Sequence, residues 1–157
     1  MKLTKGRAPR EHGQMIVLFA LSLSVMLLMA GLVIDGGYAF AQRRLAQNTS
    51  DLAALAGARV LASYVSGDRT NGTDENVVLS IDRAVAANGG SPISYRNPGS
   101  PEYVSDTGAV LDYVGTGSIP GNAVGVRLGT STTWKPFFLG IIGVSSWSAG
   151  ANATARG

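Results

Sequence analysis

The chain has 157 residues, with 13 Lys and Arg, 10 Asp and Glu, one His and no Cys. The lack of cysteine excludes disulfides, thiol chemistry and thiolate metal ligands. Four of the basic residues and one acidic residue lie in the first twelve positions, which leaves nine of each sign in the rest of the chain. The net charge of +3 therefore belongs to a short basic tail, and the neutral remainder does not indicate a nucleic-acid-binding surface.

A basic tail is followed by a long uncharged stretch. Residues 1–12 contain Gly6 and Pro9 and show no apolar periodicity, so we predict a cytoplasmic tail. Residues 14–34 carry no charged side chain, and a helix of that length reaches about 30 Å, the hydrocarbon thickness of a bilayer. We predict a transmembrane helix over residues 13–35, with an extracytoplasmic domain over residues 36–157.

Two other interpretations of the uncharged stretch stay open. A buried core helix usually has a polar face, whereas this stretch offers only Gln14, Ser22 and Ser24 as polar side chains. A cleaved secretory signal usually has an apolar region of about 7 to 15 residues, which is shorter than this one. The small-x-small triplet at residues 39–41 would suit signal cleavage, but Asp35 and two glycines separate it from the apolar run.

The membrane edge is predicted at Asp35, Gly36 and Gly37, where the glycine pair favours a bend. A second helical pattern then covers residues 38–66, which lack proline and form an amphipathic helix. Its predicted packing face consists of Leu45, Leu52, Ala56 and Val60. This face would pack either on the sheet of its own domain or on a partner helix, and the two uses can coexist on different sides.

The rest of the chain predicts one more helix and a small sheet. The helix covers about residues 75–88, capped by Thr73 or Asp74. Runs at 109–114 and 123–128 predict a hairpin with a long loop, and residues 136–143 predict a helical turn that plugs the core. Residues 145–155 alternate as a half-buried strand that pairs antiparallel with 124–128. The predicted fold class is α+β.

Material for catalysis is poor. The only histidine, His12, lies on the cytoplasmic side of the predicted span, away from the folded domain, so it cannot complete a Ser-His-Asp site there. The carboxylate pairs Asp74 with Glu75 and Asp106 with Asp112 lack the spacing of a known calcium loop, and solvated turn carboxylates are the better interpretation. We predict no catalytic, cofactor-binding or metal site and no small-molecule substrate.

Four segments carry a family resemblance: REHGQ at 10–14, GLVIDGGY at 31–38, RRLAQN at 43–48 and DLAALAGA at 51–58. Together with the apolar run they resemble the TadE/TadG-like proteins of the Tad (tight adherence, Flp pilus) system. Longer members carry a von Willebrand A-type domain with an Asp-x-Ser-x-Ser motif, which this chain lacks, so it resembles a short, pilin-like member. The resemblance implies a structural role without catalysis.

The resemblance implies a single-pass inner-membrane component of pilus assembly, in contact with the bilayer and with other pilin-like or Tad-system subunits. Gly13 and Gln14 form a candidate prepilin-peptidase site, but Leu18 replaces the glutamate usual at the fifth position after the cut. An uncleaved anchor is therefore favoured over a minor pilin incorporated into the filament, which would place the chain on the pilus or cell surface. A membrane-tethered module that binds a surface or cell-wall ligand through residues 91–122 is a third hypothesis.

Overall fold

A single long helix dominates the fold. The structure is a computed structural model that describes residues 12–97 and 99–157, so the predicted tail at 1–12, apart from His12, lies outside the described residues. Helix α1 (His12–Val65) has 54 residues and is about 80 Å long. It runs without interruption through Gly36 and Gly37, so the predicted helices at 13–35 and 38–66 are one continuous helix.

The C-terminal half of α1 packs on the domain through small side chains. Ala53 and Ala54 are fully buried, and Leu61 completes the contact further along the helix. Gly57 lies so close to its neighbours that an added Cβ would come within 3.2 Å of Ile81. Small residues let the helix backbone approach the sheet and the second helix closely, which explains the dense Ala and Gly in this segment.

Helix α2 (Asp74–Ala87) packs beside α1. Thr73 caps it, because its hydroxyl accepts a hydrogen bond from the backbone N–H of Asn76 at 3.2 Å. Val77, Ile81 and Val85 form its buried stripe. The predicted position of this helix and its cap are confirmed.

The sheet has four antiparallel strands in the order β2-β1-β3-β4. They are β1 (Glu102–Val104), β2 (Val110–Tyr113), β3 (Gly125–Trp134) and β4 (Trp147–Arg156). Val126, Leu128 and Tyr103 point into a core shared with both helices. The predicted pairing of β4 with β3 is confirmed by the register Val126↔Ala155 and Leu128↔Ala153, and the α+β class is confirmed as well.

Two details of the predicted sheet region are wrong. The runs at 109–114 and 123–128 do not form a hairpin, because β1 lies between β2 and β3 and pairs with both. The helical turn in 136–143 exists as a 3-10 helix (Leu139–Ile142), but it does not plug the core. Phe137, Ile141 and Ile142 are exposed, and the turn lies against α1 outside the domain core.

Candidate functional site

The N-terminal half of α1, residues 13–34, is almost entirely uncovered by the rest of the protein, and we call it the bare half. Among residues 13–34 only Gly31 is buried, and the large apolar side chains are all exposed. Within the described residues, α1 is the one helix long and apolar enough to cross a membrane, judged by length and composition. Gly13 and Gln14 are exposed in its first turns, and a Cβ added to Gly13 would meet no other atom.

Asp35 marks the point where the bare half of α1 meets the domain. Its side chain is only 1% exposed. One carboxylate oxygen accepts the N–H of Phe137 at 2.8 Å, and the other accepts those of Phe138 at 2.9 Å and Leu139 at 2.7 Å. Three charge-assisted hydrogen bonds therefore fasten the start of the 3-10 helix to α1. Sequence reasoning placed Asp35 at the membrane edge but did not identify this partner.

Gly31 lies one helical turn before Asp35 and makes room for an aromatic ring. A Cβ added at Gly31 would come within 2.6 Å of Cγ and 2.7 Å of Cβ of Phe138. Any larger residue would therefore displace the Phe138 side chain from the helix. Gly31 and Asp35 share one face of α1, so one face holds both the ring and the backbone of the same segment.

An aromatic cluster lies on the domain side of this contact. The Tyr38 ring packs edge-to-face on Trp134 at 5.9 Å and on Phe137 at 5.6 Å between centroids. Trp134 stacks on Trp147 at 6.2 Å, and these two residues are the last rung of the β3–β4 ladder. The end of the sheet that bears the tryptophans is therefore the end nearest the bare half of α1.

The predicted packing face of α1 lies beside the face that contacts the domain. Leu45 and Leu52 are exposed, whereas Ala56 and Val60 are half-buried. The buried arc, centred on Ser50, Ala53 and Gly57, lies roughly a third of a turn further round the helix. The leucines are therefore available to a partner, and their role in packing stays a prediction.

Buried hydroxyl groups join α1 to the sheet. Ser50 Oγ donates to the carbonyl of Ala151 at 2.9 Å and accepts the N–H of Thr130 at 3.1 Å. The two hydroxyl oxygens of Ser50 and Thr130 lie 2.8 Å apart, and Thr130 Oγ1 is 3.0 Å from the carbonyl of Ala46. These bonds fix the register of the helix on the sheet, because a shift along the axis would strand buried polar groups.

The carboxylate pair Asp74 and Glu75 is divided by its surroundings. Asp74 is buried and accepts the hydroxyl of Tyr103 at 2.7 Å and the N–H groups of Gly115 and Gly117 at 2.8 and 2.7 Å. Glu75 is exposed. Asp74 thus ties the start of α2 to β1 and to the turn after β2, and all its described contacts are structural. Among the described residues there is no group of three or more His, Cys, Asp or Glu arranged to hold a metal ion.

Comparison with known families gives one match. Residues 13–60 match the model of the Tad family, whose description is "Putative Flp pilus-assembly TadE/G-like". We call these matched residues the TadE/G-like segment. No curated protein and no solved structure matches the chain. The match confirms the family resemblance drawn from the sequence motifs.

The TadE/G-like segment, residues 13–60, covers nearly all of α1, which runs from His12 to Val65. Its run of small residues at 53–58 supplies the helix surface buried under β3, β4 and α2. Its Gly31 and Asp35 hold the 3-10 helix. Sequence reasoning missed this last contact. The available signal was the four-residue spacing of Gly31 and Asp35, which puts a residue without a side chain and a charged residue on the same face of an apolar helix.

Proposed function

We propose that the chain is a single-pass membrane component of a Tad (Flp) pilus system with a structural, non-enzymatic role in assembly. The observation that carries the proposal is the coincidence of the TadE/G-like segment with a helix that is bare over residues 13–34 and packed on a domain after Asp35. A helix that is apolar all round and uncovered is typical of a membrane span.

The proposed topology has three parts: a cytoplasmic tail over residues 1–12, a span over 13–35 and an extracytoplasmic domain over 36–157. The charge distribution supports this orientation, because four basic residues precede the span and the rest of the chain is neutral. The membrane would then be the inner membrane, with the sheet and α2 on its outer side.

Helix packing with other pilin-like or platform subunits is the proposed mode of action. The exposed pair Leu45 and Leu52, flanked by the half-buried Ala56 and Val60, offers an apolar strip next to the domain. Such a strip suits a partner helix that contacts residues at spacings of three, four and seven. Since the strip begins about ten residues after Asp35, the partner would contact it outside the bilayer.

The strip can be tested with a matched pair of variants. Leu52 is 45% exposed on α1 and Leu79 is 43% exposed on α2, so Leu52→Asp and Leu79→Asp add the same charge at equally exposed leucines. We expect both proteins to keep the wild-type melting temperature. Only Leu52→Asp should lose co-purification of Tad-system membrane proteins from the native host. Equal co-purification with both variants would contradict the proposed strip.

A processed minor pilin is the second candidate, supported by the position of Gly13 and Gln14 at the exposed start of α1. Against it stands Leu18, where a processed subunit usually has a glutamate. Intact-mass and N-terminal peptide analysis of host membranes and of the sheared surface fraction separates the two. A chain that keeps its basic tail and stays in the membrane supports the anchor, whereas a chain that begins at Gln14 in the surface fraction supports the pilin.

A further inference from the structure

We propose that residues 136–144, which we call the apolar hook, form a second membrane contact that inserts into the outer leaflet beside the span. The occupant of the hook's outer surface would be lipid acyl chains. The proposal rests on the proposed membrane span of α1. It goes beyond that span because it places part of the folded domain, more than a hundred residues away in sequence, inside the same bilayer.

The hook lies at the depth of the span. Phe138 packs on Gly31, and an open pocket of about 320 Å³ lies between the hook and the adjoining N-terminal turns of α1. Its lining comes from both sides: Val25, Leu28, Met29 and Leu32 of α1, and Phe138, Leu139 and Ile142 of the hook. Val25 precedes Asp35 by ten residues, which is about 15 Å along a helix. The hook therefore runs alongside the outer part of the span.

The outer surface of the hook is apolar. Ile141 is 78% exposed, Phe137 is 62% exposed, and Ile142 and Val144 are exposed as well. Residues 136–144 contain no charged or hydrogen-bonding side chain. A patch of this kind, continuous with the bare apolar surface of α1, is unusual in water and matches a lipid-facing surface.

Six backbone N–H groups of the hook have hydrogen-bond acceptors within the protein. Non-helical backbone at membrane depth requires partners for its polar groups. Asp35 accepts the N–H groups of residues 137–139. Turn hydrogen bonds satisfy three more N–H groups: Ile141 to Phe138, Gly143 to Gly140 and Val144 to Leu139. The buried carboxylate thus serves as the acceptor that bulk water would otherwise provide.

The flanks of the hook suit the lipid–water interface. Trp134, Trp147 and Tyr38 lie immediately on the domain side of it, and Trp and Tyr are enriched at that level in membrane proteins. Lys135 directly precedes the hook, and Arg43 is two turns beyond Asp35; both are exposed. Cations at this height can reach lipid phosphates.

Fluorescence quenching in vesicles tests the insertion, since the chain has no native cysteine. Four single-cysteine variants of the full chain would carry an environment-sensitive nitrobenzoxadiazole label: Ile141→Cys and Ile142→Cys in the hook, Met26→Cys in the span, and Thr70→Cys in the exposed loop beyond α1. Each is reconstituted into phosphatidylcholine and phosphatidylglycerol vesicles with or without brominated acyl chains. We expect quenching at positions 26, 141 and 142 and none at 70.

The labelled positions distinguish a failure of the proposed membrane span from a failure of the proposed hook. No quenching at position 26 would overturn the membrane span itself. Quenching at position 26 without quenching at 141 and 142 would overturn the hook alone. If the hook labels report an apolar environment without bromine quenching, and cysteines at position 141 crosslink two chains, the hook contacts a second copy and the lipid proposal is wrong.

Asp35→Ala tests the anchoring of the hook. This variant removes the acceptor of three N–H groups but leaves the apolar side chains in place. In the double variant Asp35→Ala with Ile141→Cys, quenching at position 141 should decrease. In the separate double variant Asp35→Ala with Met26→Cys, quenching at position 26 should stay as before. Unchanged quenching at position 141 would contradict the role of Asp35 in holding the hook at this depth.

Discussion

The two halves of α1 have the same secondary structure and opposite surroundings. From residue 14 to 34 the helix carries Leu, Met, Ile, Val and Phe on all sides, and only Gly31 is buried. From 46 to 58 the contact face carries Ala, Ser, Thr and Gly, which are buried under the sheet and α2. Large apolar residues suit a half that contacts a fluid solvent of lipid, whereas small residues suit a half that contacts fixed protein atoms.

At the two positions where residues 137–139 contact the start of the domain and the bare half, α1 carries no large apolar side chain. Gly31 is small because Phe138 lies on it, and Asp35 is charged because three backbone N–H groups point at it. At these two positions, contact with protein rather than helix propensity therefore accounts for the residue type.

A charge on the packed face should have the largest effect. Ala54 is fully buried, so Ala54→Asp would bury an unpaired carboxylate and lower the free energy of unfolding by about 3–5 kcal/mol. Leu52→Asp, two residues away on the exposed side, should change it by less than about 1 kcal/mol. Thermal melts followed by circular dichroism in detergent micelles measure both. Similar losses for the two variants would mean that the packed face is misplaced.

Removing the two buried carboxylates, Asp74 and Asp35, should have different effects on the stability of the domain. Asp74→Ala leaves the hydroxyl of Tyr103 and the N–H groups of Gly115 and Gly117 without an acceptor, and should lower domain stability by about 3 kcal/mol. Glu75→Gln is the matched control and should be neutral. Asp35→Ala should leave the domain melt nearly unchanged but speed hydrogen exchange of the amides at 137–139. A large loss of domain stability in Asp35→Ala would contradict this division.

Substitution of the two contact glycines, Gly57 and Gly31, should also affect domain stability to different extents. Gly57→Leu would force a side chain into Ile81 and Val126 in the core and should lower the free energy of unfolding by about 2 kcal/mol. Gly31→Leu should displace Phe138 and change the emission of the neighbouring Trp134 and Trp147, while the domain melt moves little. Equal melting shifts would indicate that the hook and the core are one cooperative unit.

The packed half should also respond to alkaline pH. Burial and the hydrogen bond to Asp74 raise the pKa of Tyr103 above its ordinary value. A raised pKa gives stability that is complete below the unfolded pKa of about 10 and is lost as the pH rises. Domain stability should therefore fall above about pH 10, by up to about 1.4 kcal/mol per pH unit from this group.

Tyr103→Phe isolates that contribution. The pKa of Tyr95 is also raised, by burial and by its bond to Asp82, and this tyrosine remains in the variant. Above about pH 10, the melting temperature of Tyr103→Phe should therefore fall less steeply with pH than that of the wild type, but it should still fall. An unchanged slope would show that Tyr103 does not titrate with unfolding.

Much of the fold follows from local patterns in the sequence. The uncharged run predicts the bare helix, Thr73 predicts the start of α2, and the alternating alanines predict the pairing of β4 with β3. Strand β1 was missed because three residues, Glu102–Val104, are too few to show a period. Its insertion between β2 and β3 depends on contacts across the whole sheet, which no local pattern records.

The contact between Asp35 and residues 137–139 could not be predicted from the sequence. The sequence predicts a membrane edge at Asp35, Gly36 and Gly37, since the charge and the glycines end the apolar run, and that assignment stays a prediction. The hydrogen-bond partners of Asp35 are 102 to 104 residues away, and a short apolar segment such as 136–143 fits a core turn as well as a surface hook. Only the three-dimensional path of β3 and β4 brings it back to α1.

The most direct test of the two halves is a single-cysteine scan along residues 13–65 of the full chain in vesicles, with a membrane-impermeant maleimide as the probe. We expect no labelling from 14 to 34. Beyond Asp35 labelling should be periodic, with strong reaction at positions 45, 52 and 55 and protection at 50, 53, 54 and 57. Periodic labelling of residues 14–34 would contradict the membrane assignment, because it would mean that one side of this half faces water.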